Sequence, residues 1–378
     1  MKTQKVYSFR HIAFIYHGAI DNKFSGESVY LSSLISFLRK KFDVYLIDGT
    51  IYDGSSRKDS KIFLLLTAYI KFLGFFIGER KKPKGQRTKA FFCEDLYISI
   101  LVIGLAKLSK VKFIYRPSDI GKDYRHALSK MHFISPLFYF FSYLSEIVLV
   151  KLSDIFVSVS PRITNNLITY GVKKEDIIYF PFIVKQKLIY ENDKVDTFKA
   201  KYHLNAKIVI VFVGSPNYPP NLESIKFIVS LAKEIENKKD IVFLIVGKGT
   251  ENIDISSFQN IVVLGAVDDL DTVLFSSHIG LSPSLVPGGL ITKVVDYLVH
   301  GLLVLSTEEG GSGIINNEHL IICNRKNFAY KLIEIYADLK SNKIRIGEIP
   351  DIVKKTYIDE THSEKFPDLL YNKITESI

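Results

Sequence analysis

Leu281–Gly313 reads LSPSLVPGGLITKVVDYLVHGLLVLSTEEGGSG: an apolar run, a glycine turn, an amphipathic stretch with one lysine and one aspartate, a second apolar run and a second glycine turn. That order of strand, turn, helix, strand and turn is the βαβ unit of a parallel sheet. Gly288 and Gly289 remove the side chains that would keep a ligand off the backbone, and a helix from about Leu290 turns free N–H groups and a positive dipole end toward the gap. A phosphate suits that place. Lys293, in the first turn, adds a point charge, and Asp296, three residues on, lies on the same face, where a carboxylate accepts hydrogen bonds from ribose or sugar hydroxyls. An ordinary strand–turn–helix unit with a solvated lysine has the same spacing.

Outward from this segment, short β-branched and aromatic runs alternate with longer helical patterns. In the first half the strands fall at Ile12–Tyr16, Val44–Ile47, Ala90–Phe92, Lys112–Tyr115, Ile155–Val159 and Ile177–Tyr179, and in the second at Ile208–Val213, Ile241–Val246, Ile261–Leu264, Ile279–Pro283 and Leu302–Leu305. At 378 residues the chain is long for one domain. The pattern predicts two doubly wound α/β domains, 1–184 and 185–350, with ligands bound where the strands end, and a helical segment 351–378 packing back toward the first domain.

Other loops carry weaker signals. Gly214-Ser215-Pro216-Asn217-Tyr218-Pro219-Pro220-Asn221 follows a strand and precedes a helix from about Leu222, which Asn221 can cap. Its N–H groups suit a diphosphate, although a plain proline-stiffened connection explains it equally well. At the first strand, His17-Gly18 leads to a helix start at Gly26-Glu27, an anion-receptive place on the opposing domain; His17 reads as a strand-end residue and not as a catalyst. Val246–Asn252, VGKGTEN, imitates a dinucleotide fingerprint but lacks the third glycine and a crossover helix, so Gly247-Lys248-Gly249 reads as a loop near the ligand. Glu308 and Glu309 are neighbours on an extended segment, point to opposite faces and cannot converge on one bond.

Composition narrows the class. Cys93 and Cys323 stand far apart and outside any metal-ligand spacing, which suits a reducing cytoplasm and argues against a disulfide framework or a zinc site. The N-terminal apolar run reads as a strand and not a signal peptide. Residues 1–180 hold 28 Lys and Arg against 15 Asp and Glu, a charge of +13, while the remainder carries −3, so an anionic partner is expected at the first half. Nucleic acid is not that partner, since no zinc finger, helix-turn-helix or RNP pattern occurs. Ile62–Gly78 and Met131–Val150 are apolar and aromatic but interrupted by Lys71, Pro136 and Glu146, short of the about 20 clean residues of a span. With the cations Arg80, Lys81, Lys82, Lys84, Arg87 and Lys89 they read either as core-facing helices beside a solvated loop or as peripheral contact with an anionic cytoplasmic membrane face.

Taken together, Phe212–Ile228, Leu244–Gly249, Val262–Leu270 and Pro283–Thr307 resemble the group 1, or family 4, glycosyltransferases; in the first half Ile114–Ile120 and Ser153–Gly171 resemble them more loosely. The resemblance implies a GT-B fold of two Rossmann-like domains facing across a cleft, transfer from a nucleotide-sugar to a glycan or lipid-linked acceptor, retention of configuration, and neither metal nor cofactor. By position it gives the donor diphosphate to Lys293, backbone N–H contacts to Gly288, Gly289, Leu290 and Ile291, the ribose to Asp296, further donor contacts to Gly214, Ser215, Gly247 and Lys248, and orientation of the acceptor to Asp119, with Gly26 and Glu27 on the acceptor side. Two departures stand out: Gly288 and Asp296 occupy the places of the family's glutamate pair, and Ser215 and Asn221 replace its basic pair. A catalytically silent nucleotide-sugar-binding or scaffold subunit is the alternative.

Overall fold

Strands buried on both faces need apolar residues at every position, and continuous apolar runs become the strands here. The computed structural model describes residues 11–16, 26–49, 61–121, 125–127, 129, 136–182, 190–253, 258–343, 346–359 and 361–376. His17 and Gly18 lie outside the described residues, as do the side chains of Gly26 and Glu27. The chain divides into two compact units, Met1–Lys122 with Ile134–Ile183 and Glu360–Ile378, and Asp123–Phe133 with Val184–Asp359.

In the first unit β1 (His11–Ile15), β2 (Asp43–Ile47), β3 (Ala90–Cys93), β4 (Lys112–Tyr115), β5 (Ile155–Ser158) and β6 (Ile177–Tyr179) form a parallel sheet in the order β2-β1-β3-β4-β5-β6. The connecting helices are α1 (Gly26–Arg39), α2 (Lys61–Lys81), α3 (Leu96–Leu108), α4 (Pro136–Leu152) and α5 (Pro161–Thr169). Local chemistry sets their starts: Asp95 accepts the N–H groups of Tyr97 and Ile98 to open α3, and Ser160 with Pro161 opens α5. The helix Thr361–Thr375 belongs to this unit, with Phe366 4.4 Å from the Phe180 ring and Leu370 and Ile374 buried.

In the second unit β7 (Ile208–Val213), β8 (Ile241–Val246), β9 (Ile261–Gly265), β10 (Ile279–Ser282), β11 (Leu303–Ser306) and β12 (Leu320–Ile322) are parallel in the order β12-β11-β10-β7-β8-β9. Its helices are α6 (Asn192–Lys201), α7 (Pro219–Glu234), α8 (Leu270–Phe275), α9 (Thr292–Val299) and α10 (Phe328–Lys340). Phe212, Ile225, Phe243, Ile245, Leu281, Leu305 and Leu332 join sheet and helices in one core. β12, three half-exposed residues at the sheet edge, is too short to show a period and escapes sequence reading.

Both sheets are doubly wound, and each has a switch point where successive connections leave in opposite directions, β1/β3 in the first unit and β7/β10 in the second. The loops after β7 and β10 are therefore neighbours, and they carry the glycine segments singled out above.

Candidate active site

α9 is one residue pair shorter at its start than the glycine turn suggests: Thr292 begins it and Ile291 precedes it in extended conformation with no side-chain cap. The first-turn N–H groups of Thr292 and Lys293 thus have no helical acceptor and no capping side chain. The glycine turn before it is braced from the loop after β11. Ser312 Oγ accepts the Gly288 N–H at 2.8 Å and donates to the Gly288 carbonyl at 2.9 Å. Gly288, expected to offer its N–H to the ligand, has therefore committed it within the protein. Gly313, at φ +78°, lets the brace come close, since a Cβ there would lie 2.1 Å from the Gly289 carbonyl oxygen. Gly313→Ala is expected to cost about 2–4 kcal/mol from left-handed strain and overpacking, read as a fall in the urea midpoint. A midpoint unchanged within error would mean that the two loops do not hold one another.

Three elements aim Lys293. Its Nζ stands 4.2 Å above the Phe212 ring of β7 and donates to Asn221 Oδ1 at 2.8 Å. Asn221 does not cap α7, whose first residue is Pro219; it lies within the first turn, donates from Nδ2 to the Ser215 carbonyl at 3.1 Å, and fills the space that Gly214 leaves by lacking a side chain. Ser215 Oγ in turn donates to the Lys248 carbonyl at 2.8 Å, and the Gly214 N–H to the Val246 carbonyl at 2.8 Å, tying the loop after β7 to the loop after β8. Gly214, Ser215, Gly247, Lys248, Leu290, Ile291 and Lys293 accordingly belong to one set of neighbouring strand ends. Among the described residues no carboxylate pairs with Lys293. Its charged end sits in dense surroundings, and burial alone pulls it from the ordinary lysine range down to about 7.

Asp296, one helical turn further, is moved the other way. Burial raises its carboxyl to about 6, with His300 opposing and Asp271 reinforcing the shift. The His300 ring holds this part of the helix, with Nδ1 2.7 Å from the Asp296 carbonyl and Nε2 3.2 Å from Asp271. Tyr297, fully buried, accepts the Val213 N–H on its hydroxyl at 2.8 Å and fastens α9 to β7. A lysine lowered to about 7 and a carboxyl raised to about 6 thus lie on one short helix, the kind of perturbed pair that marks a candidate site.

Arg325 was not anticipated. Its Nε donates to the Pro283 carbonyl at 2.7 Å, its guanidinium pairs with Glu223 and it stacks 4.6 Å from Phe227, so it fixes the end of β10 from behind. Nothing local marks it, since its partners lie 42 and 102 residues away.

Residues 207–338 match the family described as Glycosyl transferases group 1. Over those residues, from β7 into α10, the chain is similar to group 1 glycosyltransferases. No curated protein matches its sequence. Solved structures match its fold over almost its whole length: sucrose-phosphate synthase from Thermosynechococcus elongatus, 15% identical with TM-score 0.75, covering 98% of this chain and 100% of that one, and Anabaena HepE in complex with UDP and glucose, 10% identical with TM-score 0.67, covering 96% and 99%. WaaG, a glycosyltransferase involved in lipopolysaccharide biosynthesis, is 12% identical with TM-score 0.62, covering 97% and 99%. These likenesses establish the GT-B fold class with its two Rossmann-like units.

In the first unit Asp119 is half-buried in the loop after β4. The charge buried at that sheet edge is another pair, Glu94 after β3 and Arg116 after β4, which bind one another while Ser118 Oγ donates to Glu94 Oε1 at 2.9 Å. Arg116 also lies 4.1 Å from the Tyr30 ring. The pair shapes the loop that carries Asp119, and neither residue stood out in the sequence because a lone Glu-Asp after a strand has no distinctive spacing.

Proposed function

We propose that the protein is a glycosyltransferase that moves a sugar from a nucleotide-sugar to a glycan or lipid-linked acceptor, with retention of configuration and without a metal, while its basic first unit lies against an anionic membrane face. The observation that carries the donor assignment is Lys293: a half-buried cation that pairs with no carboxylate among the described residues and is held on Asn221 and Phe212 beside an uncapped helix start. A diphosphate supplies the missing charge. Breaking the anomeric bond puts further negative charge on that diphosphate, and preorganised donors in surroundings of low dielectric lower the barrier. In this reading Lys293 Nζ and the N–H groups of Thr292 and Lys293 meet the phosphates, Leu290 and Ile291 line the sugar, Asp296 accepts from the ribose hydroxyls, and Asp119 orients the acceptor hydroxyl. With the Gly288 N–H held by Ser312, the phosphate contact shifts toward the helix end.

HepE's complex with UDP and glucose makes UDP-sugars the first donors to test. Incubated in chelator with a panel of UDP-, GDP- and ADP-sugars, the protein is expected to release or transfer sugar from one nucleotide class. No binding of any donor at millimolar concentration removes the donor assignment; binding of a donor without release or transfer supports the catalytically silent subunit.

A further inference from the structure

In the first unit α3 packs between α2 and α4, and the three helices form one layer over the sheet. The outward side of that layer is apolar from end to end. It exposes Phe63, Leu66, Ile70 and Ile77 from α2, Leu101 and Leu108 from α3, and Leu137, Phe140, Phe141, Leu144, Val148 and Leu152 from α4. Ile70 is 68% exposed, Leu108 82%, Leu137 66% and Phe141 58%, so most of each of these large side chains faces outward. The spacing Leu137, Phe141, Leu144, Val148 repeats every three or four residues, so α4 has an apolar stripe on each side, one for the core and one facing out. Soluble monomers rarely expose contiguous patches of this extent unless they bind there.

Charge selects the occupant. The three helices contain two carboxylates, Glu79 and Glu146, and both are buried and engaged: Glu79 accepts from the Thr88 N–H at 2.6 Å, and Glu146 from the Tyr170 hydroxyl at 2.9 Å. The outward side therefore carries no carboxylate. Parallel strands joined by crossovers make α2, α3 and α4 run in the same direction, so exposed Lys81, Lys110 and Lys151 gather at one end of the layer. A face that paired with a second copy of itself would need acidic groups to meet these lysines, and it has none. The basic run after α2 is partly committed within the chain: Arg87 donates to the carbonyls of Lys82 and Arg80 at 2.8 Å each, and Lys82 pairs with Glu79.

We infer that the outward side of α2, α3 and α4, rimmed by Lys81, Lys110 and Lys151, inserts its aliphatic and aromatic side chains into the interfacial region of an anionic lipid bilayer. The inference deepens the membrane attachment proposed above by placing the contact on this layer. No helix among the described residues is long and apolar enough to cross a membrane, and insertion to the headgroup boundary requires no crossing. The lysines attract the anionic surface, and the apolar side chains supply the part that salt does not screen.

Co-sedimentation of the full chain with vesicles of phosphatidylglycerol and phosphatidylcholine, and with phosphatidylcholine alone, tests it. The unmodified protein is expected to pellet with the anionic vesicles, less so in high salt. The double variant Phe140→Glu, Phe141→Glu and the single variant Leu108→Glu, on different helices, are each expected to lose at least about tenfold in partitioning. Circular dichroism checks that these exposed substitutions leave the fold intact, and UDP-sugar binding is expected to be unchanged in all three proteins. Equal pelleting of variants and parent, or pelleting abolished by neutralising Arg80, Lys84 and Lys89 but not by the α3 and α4 changes, overturns the placement while leaving membrane attachment standing. If the parent pellets with neither vesicle type, attachment itself falls; a parent dimer in light scattering that the variants lose assigns the face to a second copy. Loss of donor binding in the parent would instead strike the donor reading and leave this one untouched.

Discussion

Lys293→Ala is expected to lower sugar transfer by a factor on the order of 100 or more, the effect of removing one preorganised donor from a developing anion. The loss should appear in kcat as well as in the donor KM, because the diphosphate carries more charge in the transition state than in the bound donor. Structural collapse does not account for it: Asn221 keeps its bond to the Ser215 carbonyl, and Ser215 keeps its bond to Lys248. The ligand-free protein is also relieved of a desolvated cation. The folded-state lysine titrates near 7 and the unfolded one in the ordinary range, so the unfolded chain binds more protons between those limits. The parent therefore gains stability as pH rises from about 7, a gain that Lys293→Ala should lack. Transfer within threefold of the parent would show that Lys293 does not meet the leaving group.

The second large effect is a narrow dependence of kcat/KM on pH. Asp296 accepts from ribose hydroxyls best as a carboxylate, and burial has raised it to about 6, so donor capture falls as pH drops below 6. Lys293 meets the diphosphate only when protonated, and burial has lowered it to about 7, so capture falls as pH rises above 7. The expected profile is a bell with its limbs close together and its top between them. Asp296→Asn should flatten the acid limb and raise the donor KM while leaving the alkaline limb, since burial alone sets the Lys293 shift. Bound diphosphate holds the lysine charged, so the alkaline limb of kcat should move upward relative to that of kcat/KM. A profile flat from pH 5 to 9 would sever both residues from donor binding.

β7 and β8 were legible to the residue, Ile208–Val213 and Ile241–Val246, because a strand buried on both faces is written as an unbroken apolar run closed by a turn residue. β4 is legible for the same reason, the bounds of β6, a short edge strand, match as well, and alternation of such runs with helical patterns determined the α/β class and the two doubly wound sheets. The positions of Lys293 and Asp296 on one short helix after a glycine turn were also written locally, since three residues along a helix bring two side chains to one face.

What only the tertiary structure decided is whom each group meets. Gly288 spends its N–H on Ser312, 24 residues on, and Asn221 leaves the cap it seemed suited to and reaches Lys293, 72 residues away. Burial sets the charge states of Lys293 and Asp296, and burial is a property of the packed surroundings. The apolar helices α2 and α4 show the same limit from outside. Their composition declared them hydrophobic, but a period of 3.6 residues describes spacing along one helix, and only packing against α3 and the sheet left one side of each uncovered.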